Sequence, residues 1–305
     1  FVYRLHERSR WQRARAAMGV LRACLQFRPD IVHLNQSGVY GVALPAAALL
    51  RLPIVAHVRL FEDAQYLAAR RPNPERLRAI IAVSGAIEQE IHRFEALNQI
   101  PVHFLYDAYA SAGPLMPGGR ATRAVRRIAC VGRIAPVKGQ DLLIAAWPLV
   151  RRANQDAECV IVGDGDIAFV EQLKARTSAE DSDKITWAGF IEDVRSLLEG
   201  CAALACPSHR EPLGRVVLES WDAGAVPVVY AGSGGAAEIV ADARAGILYE
   251  QQTPESLADA LRRALDLDPH ESDGMIERGR SWISTHCDPR AYGEALVSRF
   301  AEIRG

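Results

Sequence analysis

The sequence predicts an α/β protein with two doubly wound, mostly parallel sheets, and three observations favour this fold class. Short apolar runs typical of buried strands alternate with helical patterns along the chain, an order that favours parallel sheets covered by helices on both faces. The chain has 305 residues, 49% of them hydrophobic, which is enough to bury two ordinary cores. Residues 111–119 are rich in proline and glycine, and this composition indicates a linker between two domains.

The first segment predicts a basic amphipathic helix. Its apolar residues recur at steps of three and four, which indicates a face that packs on a core: Trp11, Ala14, Met18, Leu21 and Leu25. The arginines between them form either a solvated surface or a contact with an anionic membrane, because basic amphipathic helices bind such lipids. Both alternatives are open at this point.

Four short apolar runs then predict the strands of the first domain: residues 31–34, 54–57, 80–83 and 102–105. Ligands of parallel sheets bind at the carboxyl ends of the strands. His57 ends the second of these strands, so it is a candidate site residue as well as a candidate structural histidine.

The pattern predicts an incomplete first domain, since only four strands are predicted and a helix comes before the first of them. A doubly wound nucleotide-binding domain normally begins with a strand, a glycine-rich turn and a helix. We therefore expect the natural chain to begin before Phe1, with several dozen further residues that supply about two or three strands.

Six further apolar runs predict a complete second sheet: residues 128–131, 159–162, 185–188, 203–206, 227–230 and 246–249. A final helix is predicted over residues 291–303, after Pro289. The expected division is a first domain over residues 1–115, a second over residues 116–288, and a terminal helical segment over residues 289–305.

A phosphate-binding pocket is predicted after the first strand of the second domain. This strand leads into a turn at Gly132, and the turn carries the cations Arg133 and Lys138 before a helix begins. Backbone amides, the positive end of a helix and side-chain charge together favour phosphate.

Two carboxylates further along indicate separate contacts with an elongated ligand. Glu211 lies in a predicted loop, and Glu219 lies on the predicted helix that follows. If both were helical, they would be roughly 12 Å apart, which exceeds the roughly 5 to 9.5 Å between a glycosidase acid and base. Two such contacts with phosphate between them describe a nucleotide diphosphate sugar.

The ordered series of these motifs resembles family 4 of the retaining glycosyltransferases. The residues that carry the resemblance are Val131-Gly132-Arg133, Lys138-Gly139, Val162-Gly163-Asp164-Gly165, Gly189-Phe190, Asp193-Val194, Glu211, Glu219, Gly234-Gly235 and Glu238. The resemblance implies the GT-B architecture, in which two Rossmann-like domains face a cleft and the final helix returns to the first, acceptor-side domain. It also implies metal-independent, retaining transfer from a nucleotide diphosphate sugar, a UDP-sugar or GDP-sugar, to a hydroxyl of a glycan, a lipid-linked acceptor or a small molecule.

Residue roles follow from the same resemblance. The resemblance implies catalytic roles for four residues. His57 would lie beside the donor sugar, Arg133 and Lys138 would bind the diphosphate, and Glu211 would accept from the sugar hydroxyls. Donor contacts fall on a larger set: Gly132, Gly163, Phe190, Ile191, Leu213, Gly214, Glu219, Gly234 and Gly235. Within this set Glu219 would accept from the ribose hydroxyls, the pair at 190–191 would contact the base, and the amides around residues 234–235 would donate to the phosphates. No cofactor is implied, because cationic side chains and helix ends would stabilise the leaving diphosphate.

The sequence departs from the family pattern on the acceptor side. An acidic residue commonly follows the family histidine, whereas Val58 and Arg59 follow His57 here. The usual Asn-Gly pair after the fourth strand is replaced by residues 106–109, which include Asp107. The acceptor and the sugar preference are therefore not predicted.

The composition of the chain argues against some functional classes of protein and leaves others open. The formal charge of −1 argues against a nucleic-acid binder, and six cysteines without metal-ligand spacing predict reduced thiols in a cytoplasmic protein, free or peripheral to the inner membrane face. Residues 163–168 match a dinucleotide-binding pattern, but they follow the second strand of their domain, and lone matches are weak. A non-catalytic GT-B subunit and a nucleotide-sugar epimerase or hydrolase remain alternatives.

Overall fold

The computed structural model describes residues 9–113, 126–178 and 180–304. The described residues form two compact units, one made of the chain up to residue 108 together with residues from 288 onward, and one made of residues 109–287. We call them unit 1 and unit 2. The predicted boundary between residues 115 and 116 lies outside the described residues.

Unit 1 contains a parallel four-stranded sheet in the order β1-β2-β3-β4. Its strands are β1 Val32–Leu34, β2 Ile54–Val58, β3 Leu77–Ala82 and β4 Val102–Phe104. The helices between and before them are α1 Arg10–Phe27, α2 Tyr40–Leu50, α3 Phe61–Ala68 and α4 Gly85–His92. All four predicted strands are confirmed. β3 begins three residues earlier than predicted, because the exposed Arg78 interrupts the apolar run that continues into the buried Leu77.

The predicted core face of α1 is wrong. Trp11, Met18 and Leu25 are 77%, 50% and 58% exposed. The helix packs against α2, and its less exposed side carries Val20 and the buried Cys24. A helical period identifies an apolar stripe but not which of two stripes meets the protein, and this helix has two.

Unit 2 contains a parallel six-stranded sheet in the order β10-β9-β8-β5-β6-β7. Its strands are β5 Arg127–Val131, β6 Glu158–Val162, β7 Ile185–Gly189, β8 Ala203–Cys206, β9 Val226–Tyr230 and β10 Ile247–Tyr249. Its helices are α5 Gln140–Ala153, α6 Ile167–Ala175, α7 Val194–Glu199, α8 Arg215–Ala223, α9 Gly235–Ala243, α10 Pro254–Asp266 and α11 Pro269–His286. All six predicted strands are confirmed. The strand order reverses between β5 and β8, and in doubly wound sheets ligands bind at the carboxyl ends of the strands at that point.

The last helix, α12 Pro289–Arg304, belongs to unit 1. It places Leu296, Phe300 and Ile303 against buried residues of β2 and β3, among them Val55 and Ile81. Apolar residues at steps of three and four thus give the helix one face that covers the sheet.

Candidate functional site

Lys138 and Glu211 meet at the carboxyl ends of β5 and β8. Lys138 closes a short 3-10 turn, Pro136–Lys138, after β5, and Glu211 lies in the loop after β8. The distance from Lys138 Nζ to Glu211 Oε2 is 2.6 Å. The cation predicted to bind phosphate and the carboxylate predicted to bind sugar hydroxyls are therefore neighbours at the point where ligands of such sheets bind.

The loops that carry this pair pack backbone against backbone. The amide of His209 donates to the carbonyl of Val137 over 2.9 Å. Gly139 has a φ of +72°, and a Cβ at this position would lie 2.2 Å from the carbonyl oxygen of Pro207. Only glycine combines that conformation with so close an approach, so the loop of Lys138 and the loop of Glu211 hold a fixed relative position.

A second backbone contact holds Glu211 from its other side. The amide of Glu211 donates to the carbonyl of Ser233 over 2.6 Å, and the amide of Gly235 donates to the carbonyl of Glu211 over 2.8 Å. A Cβ at Gly235 would lie 2.0 Å from the carbonyl oxygen of Pro212. This corrects one prediction: the Gly235 amide is engaged within the protein, so Gly235 positions Glu211 instead of donating freely to a phosphate. Gly234, with a φ of +97°, makes the turn before it.

Gly132 and Gly163 also pack on each other. A Cβ at Gly163 would lie 2.1 Å from the carbonyl oxygen of Gly132, while no described atom lies within 4 Å of a Cβ placed at Gly132. Gly163 is therefore a packing residue, and Gly132 leaves open space beside the turn. The neighbouring Arg133 has an exposed side chain, and its carbonyl accepts from Gln140 Nε2 over 3.1 Å.

Glu219 lies half-buried on α8, the helix that follows the predicted donor contacts Leu213 and Gly214. Burial raises the pKa of its carboxyl, and the nearby Arg215 opposes that shift. Gly214 has a φ of +85°, and its Cβ would lie 2.7 Å from Ala236 Cβ, so the start of α8 packs tightly on the start of α9.

Asp222 anchors α8 three residues beyond Glu219. Its buried carboxylate accepts from Arg195 of α7 over 2.8 Å and lies 3.4 Å from the guanidinium of Arg280 of α11. It also accepts from the amide of Ala112 over 3.1 Å. The sequence did not predict this role, because the partners lie far from Asp222 along the chain and only the helix packing brings them together.

Phe190 and Ile191, predicted to contact the base, follow β7. Phe190 is exposed, whereas Ile191 packs partly against the core. A cleft of about 260 Å³ opens beside them, and Trp187, Gly163 and Gly189 line it together with residues of α6. The aromatic wall and the exposed ring offer surfaces for a planar ligand.

His57 is the penultimate residue of β2 and is buried. Its Nδ1 lies 2.8 Å from His33 Nε2, and its side chain has no exposed surface. Burial, then the charge of Arg59 and the neighbouring His33, lowers the pKa of His57 to about 3. The ring is therefore neutral at pH 7, and its contact with a donor sugar stays a prediction. The His33 partner was not predictable from the sequence, because His33 lies inside an apolar strand.

The six cysteines are buried and free. Among the described residues, no helix has both the length and the apolar character needed to cross a bilayer.

The chain is similar to known glycosyltransferases. Residues 123–282 match the family described as glycosyl transferases group 1, and residues 1–108 match glycosyltransferase family 4. A glycogen synthase of Anaeromyxobacter dehalogenans is 39% identical over 180 residues, which cover 56% of this chain and 37% of that protein. A phosphatidyl-myo-inositol mannosyltransferase of Propionibacterium freudenreichii is 29% identical over 284 residues, which cover 89% of this chain and 70% of that protein.

The aligned region covers only part of the length of several relatives. The chain spans less than half the length of the glycogen synthase and of two mannosyltransferases that it resembles. Among solved structures, HepE of Anabaena, in complex with UDP and glucose, superposes with a TM-score of 0.80 at 19% identity, covering 93% of this chain and 80% of that one. This likeness supports the predicted GT-B class with two Rossmann-like domains.

Proposed function

Because the chain belongs to the glycosyl transferases group 1 family, we propose that it transfers a sugar from a nucleotide diphosphate sugar to an acceptor hydroxyl. The transfer retains the anomeric configuration and needs no metal ion. The observation that carries this proposal is the Lys138–Glu211 contact at the switch point of the unit 2 sheet.

The pair provides one contact for each half of a donor. A diphosphate takes the ammonium of Lys138 as its counter-ion, and the attached sugar gives hydroxyl protons to the carboxylate of Glu211. Donor binding then replaces an ion pair within the protein by two contacts with the ligand. A free nucleotide satisfies only the first of these contacts.

The chemistry proposed here balances without a further reactant. The bond between the anomeric carbon and the diphosphate oxygen breaks, and the acceptor oxygen bonds to the same carbon from the face that the diphosphate leaves. The acceptor proton goes to a diphosphate oxygen. Negative charge grows on the leaving group, so Arg133 and Lys138 stabilise the transition state more than the bound donor. A charge-assisted contact contributes roughly 1.5 to 3 kcal/mol in itself.

Glu219 is assigned to the ribose. Its two carboxylate oxygens suit two adjacent hydroxyls, and α8 holds it through Asp222. Hydrogen bonds from the ribose favour the charged form of this carboxyl, against the burial that raises its pKa.

UDP-sugars and GDP-sugars are the first donors to test. HepE was solved with UDP and glucose, and the mannosyltransferases of Mycobacterium tuberculosis and Corynebacterium glutamicum are named as GDP-mannose-dependent. Acceptors that these names suggest for this chain are glycans and lipid-linked inositols.

We further propose that the protein acts in the cytoplasm and that α1 binds anionic membrane. Trp11 and Met18 are exposed. Arg15 lies four residues after Trp11 and Arg22 lies four residues after Met18, and residues four apart are neighbours on the surface of a helix. Apolar side chains flanked by arginines on one face suit the boundary between lipid headgroups and acyl chains.

The experiment is product analysis from UDP-sugars and GDP-sugars, with and without glycan and lipid-linked acceptors. A transferase gives a new glycoside only when acceptor is present. Free sugar in both conditions indicates a hydrolase, and an epimerised donor indicates an epimerase. Donor binding without any product indicates a non-catalytic subunit, and each of these three outcomes contradicts the proposal.

A further inference from the structure

The cleft of about 260 Å³ beside β7 lies at the same edge of the unit 2 sheet as the phosphate turn after β5. Gly163, which follows β6, and Gly189, which ends β7, both line it. β5, β6 and β7 are successive neighbours in the sheet. Neighbouring strands are roughly 4.8 Å apart, so the cleft lies roughly 5 to 10 Å along the edge from the turn of Lys138. A nucleoside spans that distance, so a diphosphate at Lys138 can place its base in the cleft.

Trp187 gives this cleft an aromatic wall. Its side chain is half-buried, and Nζ of Lys174 lies over the ring, 6.0 Å from the centroid. Nucleobases stack on aromatic side chains whatever their identity, because every base has a π-face. The wall therefore favours a base without selecting one, and the selection comes from the polar groups of the cleft.

Lys174 and Glu171 form the polar side of the cleft, and both belong to α6. The distance from Lys174 Nζ to Glu171 Oε1 is 2.9 Å, and the two side chains are 42% and 64% exposed, so a ligand in the cleft has access to both. An ammonium donates and a carboxylate has two acceptor oxygens. The pair thus presents one donor beside two acceptors.

This order of groups is complementary to guanine. The pairing edge of guanine has a carbonyl oxygen, O6, followed by the two donors N1–H and the exocyclic amine. Uracil has one N–H between two carbonyls, so one of its carbonyls would face a carboxylate oxygen. Adenine has an amine beside a ring nitrogen that accepts, and it lacks two adjacent donors. Two parallel hydrogen bonds to one carboxylate are strong and specific.

A second carboxylate adds to this preference. Asp164 lines the cleft, and its Oδ1 lies 4.0 Å from the position of a Cβ at Gly189. Together with Glu171 it outweighs the charge of Lys174, so the three groups have a net negative charge. Such a surface favours a base edge rich in N–H groups over one rich in carbonyls.

We propose that Lys174 donates to O6 of guanine while Glu171 accepts from N1–H and from the exocyclic amine, so that the donor is a GDP-sugar. This inference rests on the proposed function, because it names the base of the same donor. It makes Glu171 a specificity-determining residue. Both residues lie on α6, outside the motifs that carry the family resemblance.

The test compares four nucleotides by calorimetry on the full chain: GDP, UDP, ADP and inosine diphosphate, which is GDP without its exocyclic amine. The wild type should bind GDP at least tenfold more tightly than UDP or ADP. It should bind GDP about tenfold more tightly than inosine diphosphate, because the latter lacks one hydrogen bond to a carboxylate.

Two variants assign the contacts. Glu171→Gln keeps the size of the side chain but replaces one acceptor oxygen by an NH₂ group. It should weaken GDP about tenfold and remove the preference for GDP over inosine diphosphate. Lys174→Met should weaken both nucleotides alike, since both have O6. The control is Glu277→Gln, at an exposed carboxylate of α11, which should behave as the wild type, and thermal unfolding checks the fold of each variant.

Binding of UDP or ADP by the wild type as tight as that of GDP would overturn the inference. A full amine preference that persists in the folded Glu171→Gln variant would also overturn it. Either result, obtained with a protein that binds nucleotides and forms a glycoside, removes the guanine assignment and leaves the proposed transfer intact. Failure of all four nucleotides to bind would contradict the proposed function together with this inference.

Discussion

Lys138 and Glu211, 73 residues apart in the chain, form an ion pair with 2.6 Å between Nζ and Oε2. Each residue follows one of the two strands that flank the switch point of the unit 2 sheet. The pair is ordered by the backbone around it, through Gly139 on one side and Gly235 on the other. A group that is already held in position needs little reorganisation when charge develops on the ligand, and this is the basis of electrostatic catalysis.

Removal of either cation should therefore slow transfer strongly. Lys138→Ala and Arg133→Ala are each expected to lower kcat/KM by on the order of a hundredfold or more, because each deletes a donor for the leaving diphosphate. The control is Arg152→Ala, which removes an exposed cation of α5. Near-normal turnover in a folded Lys138 or Arg133 variant would contradict the phosphate assignment.

The two carboxylates should differ in the ligand that they recognise. Glu219→Ala is expected to weaken binding of both the free nucleotide and the nucleotide sugar, since both contain ribose. Glu211→Ala is expected to weaken the nucleotide sugar alone, because only that ligand has sugar hydroxyls. Calorimetry with both ligands measures this division, and equal losses for both ligands in both variants would refute it.

The buried histidines should make stability depend on pH. The pKa of His57 is about 3 in the folded protein and about 6.5 when unfolded, so below pH 6.5 the unfolded chain binds a proton that the folded chain does not. The contribution of His57 to the free energy of unfolding is then fully present above about pH 6.5. It decreases on acidification, by roughly 2 kcal/mol at pH 5.

His57→Phe removes that titration. The urea midpoint of the variant should change less between pH 7 and pH 5 than that of the wild type, whatever its absolute stability. His270→Gln, a change at an exposed histidine of α11, should keep the wild-type dependence. If the urea midpoint of His57→Phe changed between pH 7 and pH 5 as much as that of the wild type, His57 would not be the source of the pH dependence.

Membrane binding by α1 should be electrostatic. Co-sedimentation with vesicles of phosphatidylglycerol and phosphatidylcholine is expected at low salt, and it should fall as salt rises, since each basic residue near such a surface contributes about 1 kcal/mol that salt screens. Arg15→Glu combined with Arg22→Glu should abolish it, whereas Arg262→Glu on α10 should not. Without sedimentation at low salt, the solvated surface is the remaining interpretation.

Much of this architecture is predictable from the sequence, because strands of a buried parallel sheet are continuous apolar runs and helices have their own period. Even Ala203–Cys206, a strand of four residues, has the predicted bounds. The site is predictable in its residue types but not in its contacts. The pairing of Lys138 with Glu211 depends on β5 and β8 being neighbours in the sheet. The local pattern of the sequence does not determine the order of the strands.

The local pattern of the sequence also does not determine which side of a helix, or which backbone group, faces the rest of the protein. α1 has two apolar stripes; the one with Trp11 and Met18 is exposed, whereas Val20 and Cys24 on the other side are less exposed. Likewise, Gly235 has the backbone freedom expected of a phosphate-binding turn, but its amide is engaged by Glu211. Tertiary contacts decide both cases.

The central claim is retaining transfer by side-chain electrostatics, and the anomeric configuration of the product tests it most directly. Proton NMR should be recorded on the glycoside formed from an α-linked nucleotide sugar, in reactions run with and without EDTA. We expect an α-linked product, formed at the same rate in both reactions. A β-linked product, or a rate that collapses in EDTA and returns with added divalent metal, would contradict this account.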